Sequence, residues 1–421
     1  MARNSLLSEH KKLAPQGSVL STHLFILAIN DIADCVQYPV RHLIYADDLA
    51  LFIRGSNLPK LQTQLQHTIS KLAAWGELHG LRFAPSKTKI VDFTRQKNAS
   101  RIYLSLNNEE LRQVDRAKFL GLTLDSKLKW QSHISELRQL CFQRLNLLKM
   151  ISGCSWGSDK KCILRIYCSH IRSLLNYGCI LYASASQRIL SQLNTIQNEA
   201  LRIAIGAFCI SPVLSLHAES NFIPLQHHRN LQILKYYCKT LAIPGHINSY
   251  SMRLSTVIPG VSNIAQQLLE KYQITLEKPL SLGALRLQFS QLRFSIQDFL
   301  QQEWNRASTN FLRSLKPTLE DWSTSYLPNR QEERVLARIR IGHTLLTHCH
   351  LLQQSEPPLC DICHTKIDVL HVLNFCQKYT AARLKFYGAS PFPVYESLID
   401  TIFSVLTLFY YLRDSKLFAL F

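Results

Sequence analysis

Two short β-prone runs, Val40-Arg41-His42-Leu43-Ile44-Tyr45 and Leu49-Ala50-Leu51-Phe52-Ile53, meet at Ala46-Asp47-Asp48. Apolar runs closed by a short polar tip are the pattern of a β-hairpin. The constraint is local and strong, because the two runs must pair antiparallel and leave adjacent carboxylates at the turn. Such a pair suits divalent cations, which take hard oxygen ligands and bridge substrate phosphates. Adjacent aspartates also serve as plain solvated turn residues. The residues alone leave both readings open.

Upstream, Pro15-Gln16-Gly17-Ser18-Val19-Leu20-Ser21 leads into a helical run marked by Leu20, Leu24, Leu27 and Ile32, ending near Asn30-Asp31. Downstream, Asn57 caps a helix with Pro59 in its first turn. Leu61, Leu65, Ile69, Leu72 and Trp75 form one apolar stripe, which Gly76 and Gly80 are expected to end. Leu81 to Phe93, with Lys87-Thr88 inside it, reads as a loop and a strand. Phe119-Leu120-Gly121-Leu122-Thr123-Leu124-Asp125 reads as another hairpin, backed by Leu128 and Trp130.

This order of motifs resembles the later palm motifs of reverse transcriptases from non-LTR retrotransposons, in particular the jockey- and I-element-like groups. The resemblance implies an α+β chain: a partial reverse-transcriptase palm, a mostly helical thumb and a helical C-terminal region. By it, Gln16, Gly17 and Ser18 face template and nucleotide, Tyr45 sits under the primer end, and Asp47 is the primary magnesium ligand with Asp48 in support. Lys87, preferred to Lys89, stands near the leaving phosphate, and Gly121 lies in the primer-grip hairpin. RNA, DNA and deoxynucleoside triphosphates are then the partners of the intact parent, with no membrane partner expected and protein partners open.

The resemblance also exposes departures. Two-metal nucleotidyl transfer needs carboxylates from two places, and the residues before Pro15 offer Glu9 but no strand bearing an Asp. Fingers and the first half of the palm are expected to be missing, which predicts an inactive polymerase fragment. Leu13-Ala14 replaces the family's Gly-Val, and Thr22 stands where Pro is common. A second functional class stays open beside the polymerase: a non-enzymatic nucleic-acid-binding remnant that uses a basic thumb and a zinc knuckle.

From Trp130 to about Gly245 the stripes are helical: Ile134, Leu137, Cys141, Leu145 and Leu148; then Ile163, Ile166, Tyr167 and Ile171 behind Asp159; then Ile189, Leu193, Ile196, Ala200 and Ile203, closed by Gly206. The domain reading is 1–125 for the half-palm, 126–245 for the thumb, 246–330 for a connector and 331–421 for the C-terminal region. Across 246–315 the acids are Glu270, Glu277, Asp298 and Glu303. They form no carboxylate cluster of the kind ribonuclease H chemistry needs.

In the last region Cys360, Cys363, His371 and Cys376 follow a Cys-x2-Cys-x7-His-x4-Cys spacing. A Cys3His set completes tetrahedral zinc and leaves no open position, so it is structural; unmetallated thiols are the alternative. The spacing fits the Cys-Cys-His-Cys motif of non-LTR elements. His364 and His350 are not expected to be ligands. In the helical run before the motif, Arg334 and Arg338, together with Lys366, are candidates to reach phosphates.

Composition bounds the partners. The 421 residues are 47% hydrophobic and 18% charged, with a formal net charge of +19. That is a globular chain with a bias toward polyanions, spread over folded surfaces with no Lys/Arg block. Basicity by itself does not separate nucleic acid from an anionic membrane surface. Residues 1–20 hold His10-Lys11-Lys12 and no apolar core, so an intracellular, nuclear or cytoplasmic, non-secreted protein with reduced thiols is expected. Leu398 to Leu412 is apolar but shorter than the roughly 20 residues a spanning helix needs, and reads as a buried terminal helix.

Overall fold

The acidic tip is carried on an antiparallel hairpin. β1 (Arg41–Tyr45) pairs with β2 (Asp48–Phe52) from Arg41↔Phe52 to Tyr45↔Asp48, so Ala46 and Asp47 make a two-residue loop. The structure is a computed structural model that describes residues 19–94, 101–153, 156–246, 248, 260–276, 281–388, 397–399 and 401–421. The chain divides into two units, Met1–His133 and Ile134–Phe421.

In the first unit, α1 (Val19–Ala28) runs into a 3-10 turn, Asn30–Cys35. α2 (Leu58–Leu78) opens as the sequence dictates, with the Asn57 side chain accepting from the Lys60 amide at 3.1 Å and Pro59 in the first turn. Its stripe serves two cores. Leu72 and Trp75 pack with Ile32 against Ile44, Leu49 and Leu51, and so back the hairpin. Leu65 and Ile69 pack against Leu104, Leu106 and Leu111, and Phe83 joins both cores. Gly76 does not end the helix. It lies inside it, where a Cβ would stand 2.8 Å from the carbonyl oxygen of Leu81. The missing side chain lets the exit loop cross the helix, and the chain turns at Gly80, whose φ is +69°.

The expected strand between Leu81 and Phe93 is reduced to β3 (Lys89–Ile90), which pairs in parallel with β6 (Arg112–Gln113). β4 (Ser105–Leu106) and β5 (Glu109–Glu110) form a hairpin around Asn107 and Asn108, both at positive φ. β7 (Arg116–Phe119) and β8 (Leu122–Asp125) form another around Leu120 and Gly121, at φ 45° and 78°. Two positive φ values in a two-residue loop mark the turns whose twist matches paired strands. Asp125 then fixes the following loop, its carboxylate accepting from the amides of Lys127, Lys129 and Trp130 at 3.2, 3.0 and 2.8 Å.

The second unit is helical. α3 (Gln131–Ile151) buries Ile134, Leu137, Cys141, Leu145 and Leu148. α4 (Lys160–Tyr167) is capped by Asp159, which accepts from the Cys162 amide at 2.6 Å, and continues through a wide π turn, Cys168–Arg172. Ile163, Tyr167, Ile171 and Leu175 are all fully buried. Strict four-residue steps drift around a 3.6-residue helix, and the π turn takes up that drift. α5 (Gln187–Ile205) ends at Gly206 in the left-handed region. Its buried face is Leu190, Leu193, Ile196, Gln197, Ala200, Leu201, Ala204 and Ile205, rotated from the expected stripe so that Ile189 and Ile203 are only half-buried.

α6 (Val213–Ser220) and α7 (Leu225–Ala242) follow. One core joins Leu231, Leu234 and Cys238 of α7 to Ala265 and Leu268 of α8 (Val261–Lys271) and Leu292 and Ile296 of α9 (Leu285–Arg306). A second core draws on α10 (Phe311–Leu315), α11 (Arg330–Ile341), the segment after α12 (Leu345–Gln353), α13 (Thr380–Tyr387) and α14 (Ile402–Asp414). The apolar terminal run enters this core through Val405, Leu408, Phe409 and Leu412. Among the described residues no helix is long and apolar enough to cross a membrane.

Burial holds several histidines of this unit below their ordinary range, among them His217 and His227 at about 4, and His228 at about 3, where nearby Arg172 adds to the effect. The unfolded chain therefore binds more protons than the folded one below the ordinary value of 6.5, and stability is lost as pH falls toward these folded values. The melting temperature is expected to drop steadily between pH 6.5 and 4. Scanning calorimetry across that range checks it; a flat or rising melting temperature would contradict the burial of these rings.

Candidate functional sites

Tyr45, Asp47 and Asp48 come together on one tip. Tyr45 closes β1 and is 67% exposed, Asp48 opens β2 as its register partner, and Asp47 lies in the loop between them. Both carboxylates are exposed, and neither has a hydrogen-bond or ion-pair partner among the described residues. Ala46 takes φ +51°, a value that costs a residue with a Cβ and persists only where the surroundings enforce it. Here the short loop and full pairing up to Tyr45↔Asp48 impose it. The result is a fully paired hairpin with two exposed carboxylates at its tip that hold no other described residue.

The other candidates sit on separate elements. Lys87 is exposed in the turn after Pro85, its amide donating to the Ala84 carbonyl at 3.1 Å. Gly121 is the second residue of the β7–β8 loop. Gln16, Gly17 and Ser18 lie outside the described residues.

Cys360, Cys363, His371 and Cys376 do converge: one ligand atom from each lies within 4.8 Å of the others. Local geometry explains why. The Cys360 amide donates to the Thr365 carbonyl at 2.8 Å, and the His364 amide returns to the Cys360 carbonyl at 2.8 Å, folding the first thiol pair into a tight knuckle. His364 occupies the turn at φ +52°, which accounts for its absence from the cluster. The Asp368 carboxylate caps the segment carrying His371 by accepting its amide at 2.6 Å, and the Cys376 amide reaches the His371 carbonyl at 2.7 Å.

The donors fit a tetrahedral ion. Metal–sulfur distances of about 2.3 Å place two thiolates about 3.8 Å apart in a tetrahedron, and the Cys360 and Cys376 sulfurs are 3.7 Å apart. The His371 Nδ1 atom is 3.2 Å from the Thr365 hydroxyl, while its Nε2 is buried without a hydrogen-bond partner. An outer partner on one ring nitrogen that leaves the other free is how ligating histidines are oriented. Backbone amides of Cys363 and Ile362, together with His371, hold the Cys360 thiol down at about 6. The Gln377 amide points to the Cys363 sulfur at 3.5 Å. The set is a Cys3His cluster compatible with zinc.

The sequence reading misses a buried ionic network at the centre of the second unit. Lys160, Lys316 and Arg340 are at most 1% exposed, as is Glu219. Glu219 Oε1 accepts from the Ser325 hydroxyl at 2.8 Å and lies 3.8 Å from Arg340 and 4.0 Å from Lys160. Lys316 donates to the Ala218 carbonyl at 2.9 Å and, like Arg340, stacks on Trp322. Arg330 pairs with buried Glu333 at 2.8 Å, and Glu333 also accepts the Lys160 amide at 2.9 Å. Burial pulls the Lys160 ammonium down to about 8 against the two glutamates. No spacing rule separates these cations from solvated ones, so the expectation of charge spread over surfaces is corrected: part of the +19 is internal.

The arginines of α11 expected to reach phosphates also have partners within the protein. Arg338 Nε donates to the Gly206 carbonyl at 2.7 Å and Nη1 to the Phe421 carbonyl at 3.1 Å. Arg334 packs over Gly206, where a Cβ would stand 2.4 Å from its Cγ. These side chains, both half-buried, tie α11 to the end of α5 and to the terminal residue.

Hairpin, backing helix and following strands lie in a stretch that comparison resolves. Residues 4–124, the stretch that carries the acidic hairpin, match the family model described as reverse transcriptase (RNA-dependent DNA polymerase). The chain is homologous to non-LTR retrotransposon polymerases at modest identity over about half its length. It is 25% identical over 248 residues to the RNA-directed DNA polymerase from mobile element jockey of Drosophila melanogaster, covering 58% of this chain and 27% of that protein. It is 28% identical over 230 residues to the probable RNA-directed DNA polymerase from transposon BS, covering 53% and 25%. The corresponding protein of transposon X-element, also from Drosophila melanogaster, is 23% identical over 244 residues, covering 56% and 26%. The chain spans about a quarter of the length of these relatives.

Proposed function

We propose that the chain is the segment of an RNA-directed DNA polymerase that carries its acidic hairpin, followed by a thumb and a zinc-stabilised C-terminal region. The observation that carries this reading is the exposed, otherwise unemployed Asp47–Asp48 tip of a paired hairpin inside the stretch that matches the reverse transcriptase family. Asp47 is assigned as the magnesium-holding carboxylate and Asp48 as its support. Magnesium held there would supply activation of the primer hydroxyl and stabilisation of the triphosphate leaving group. The chain's own residues position: Tyr45 beneath the primer end, Lys87 toward the leaving phosphate, Gly121 in the primer-gripping turn, and Gln16, Gly17 and Ser18 toward template and nucleotide. Cys360, Cys363, His371 and Cys376 hold zinc as a structural cross-link.

A second reading, a nucleic-acid-binding protein without catalysis, is favoured by one observation. Among the described residues, the converging group of three or more metal-ligating side chains is the Cys3His cluster; no third acid joins Asp47 and Asp48. Both readings require an RNA–DNA hybrid to bind through phosphates. Affinity for such a hybrid is expected to fall steeply with salt, since each neutralised phosphate adds about 0.7–0.9 to the logarithmic slope. Filter binding from low to moderate salt tests it, and a flat response would sink the nucleic-acid reading in both forms.

A further inference from the structure

Lys89 and Arg112 are direct register partners in the parallel pair β3–β6, and both are exposed. Like charges placed opposite each other across a strand pair destabilise it. Neither side chain has a hydrogen-bond or ion-pair partner among the described residues. Together with Arg101 and Arg116 they line an open groove of about 680 Å³, completed by Gln113, Val114 and the single acid Asp115. Arg101 makes an exposed pair with Glu110 at 3.8 Å and lies 4.9 Å over the ring of Tyr103, which is 52% exposed. Arg116 reaches the Ser132 hydroxyl at 3.5 Å.

Four cations line the groove with one acid, Asp115, while Arg101 is shared with Glu110; two of the cations are brought together by strand register, and the exposed ring of Tyr103 lies under Arg101. Phosphates alone would need only the charge. The exposed ring under Arg101 adds the stacking platform by which single strands are held. We propose that this groove binds the phosphodiester backbone of a single-stranded nucleic acid, with Lys89 and Arg112 neutralising its phosphates and Tyr103 stacking on a base. The assignment rests on the chain being a nucleic-acid protein, but it is independent of any role for Asp47.

The test uses the full 421-residue protein and labelled single-stranded oligo(U). Lys89→Gln with Arg112→Gln is expected to weaken binding roughly tenfold at moderate salt and to lower the salt slope by roughly 1.4, two charges at about 0.7 each. The melting temperature should hold or rise, because a repulsive pair is removed; this separates lost contacts from lost folding. Tyr103→Ala should weaken binding with the salt slope unchanged. An unchanged slope in the folded double variant would overturn the assignment. So would an equal loss from Lys161→Gln with Arg165→Gln, an exposed pair on α4, which would assign the effect to bulk charge. Competition by inorganic pyrophosphate matching oligo(U) phosphate for phosphate, with no effect of Tyr103→Ala, would make the groove a free-phosphate site and overturn it as well.

Discussion

Purified under reducing conditions, the protein is expected to carry close to one equivalent of zinc, and Cys363→Ser to lose it together with the fold of the knuckle. The donor set explains the size of the effect. The Cys360 and Cys376 sulfurs stand 3.7 Å apart and His371 Nε2 is buried without a hydrogen-bond partner, so an ion bound among them would satisfy all of these donors at once. Structural zinc contributes on the order of 10 kcal/mol or more of apparent binding free energy at neutral pH, comparable to the whole stability of a typical domain. The knuckle borders the second core of the helical unit through Val369, Val372 and Leu373. Its loss should therefore lower the melting temperature of that unit and not only remove metal. Metal analysis with thermal unfolding checks both. Zinc-free protein of unchanged stability would remove the site from this account.

Glu219→Ala is expected to be the most damaging substitution away from any metal. It strips the nearest carboxylate from Arg340 and Lys160 while all three positions stay in the core. Removing one member of a buried ion pair costs about 3–5 kcal/mol, because the remaining charge is left unpaired out of water. Urea unfolding of the variant should show that loss, and Glu219→Gln a smaller one, since an amide oxygen can still accept from the Ser325 hydroxyl. A loss below about 1 kcal/mol, the range of exposed pairs, would mean that water reaches this network.

The helices were largely legible because their signals are local. Asn57 caps as read, Asp159 lies at the start of α4 as expected, and Gly206 ends α5 in the left-handed conformation. The stripe of α3 is buried at all five positions. What failed to show in the sequence depends on contacts between distant residues. Gly76 looks like a terminator, yet its role is set by Leu81 crossing it. Lys160, Lys316, Arg330 and Arg340 carry no local mark distinguishing an internal cation from a solvated one, and Arg338 reads as a phosphate contact until its carbonyl partners at Gly206 and Phe421 are seen. The Lys89–Arg112 juxtaposition exists only through the pairing of β3 with β6. At the candidate sites, spacing was enough to gather Cys360, Cys363, His371 and Cys376, and alternation was enough to put Asp47 and Asp48 on a hairpin tip.

The central assignment, Asp47 as the metal-holding carboxylate of an RNA-directed polymerase, is tested most directly by primer extension on an RNA template with magnesium or manganese. Two-metal transfer needs an opposing carboxylate, which Asp47 and Asp48 do not meet among the described residues. The 421 residues span about a quarter of the length of the polymerases they match, so the test uses a fusion. Joined in frame behind the fingers and upstream palm segment of the jockey polymerase, they should extend the primer, and Asp47→Ala in the same fusion should abolish extension while hybrid binding persists. Equal extension by the Asp47→Ala fusion, or a fusion that binds hybrid yet extends no primer, would contradict the assignment.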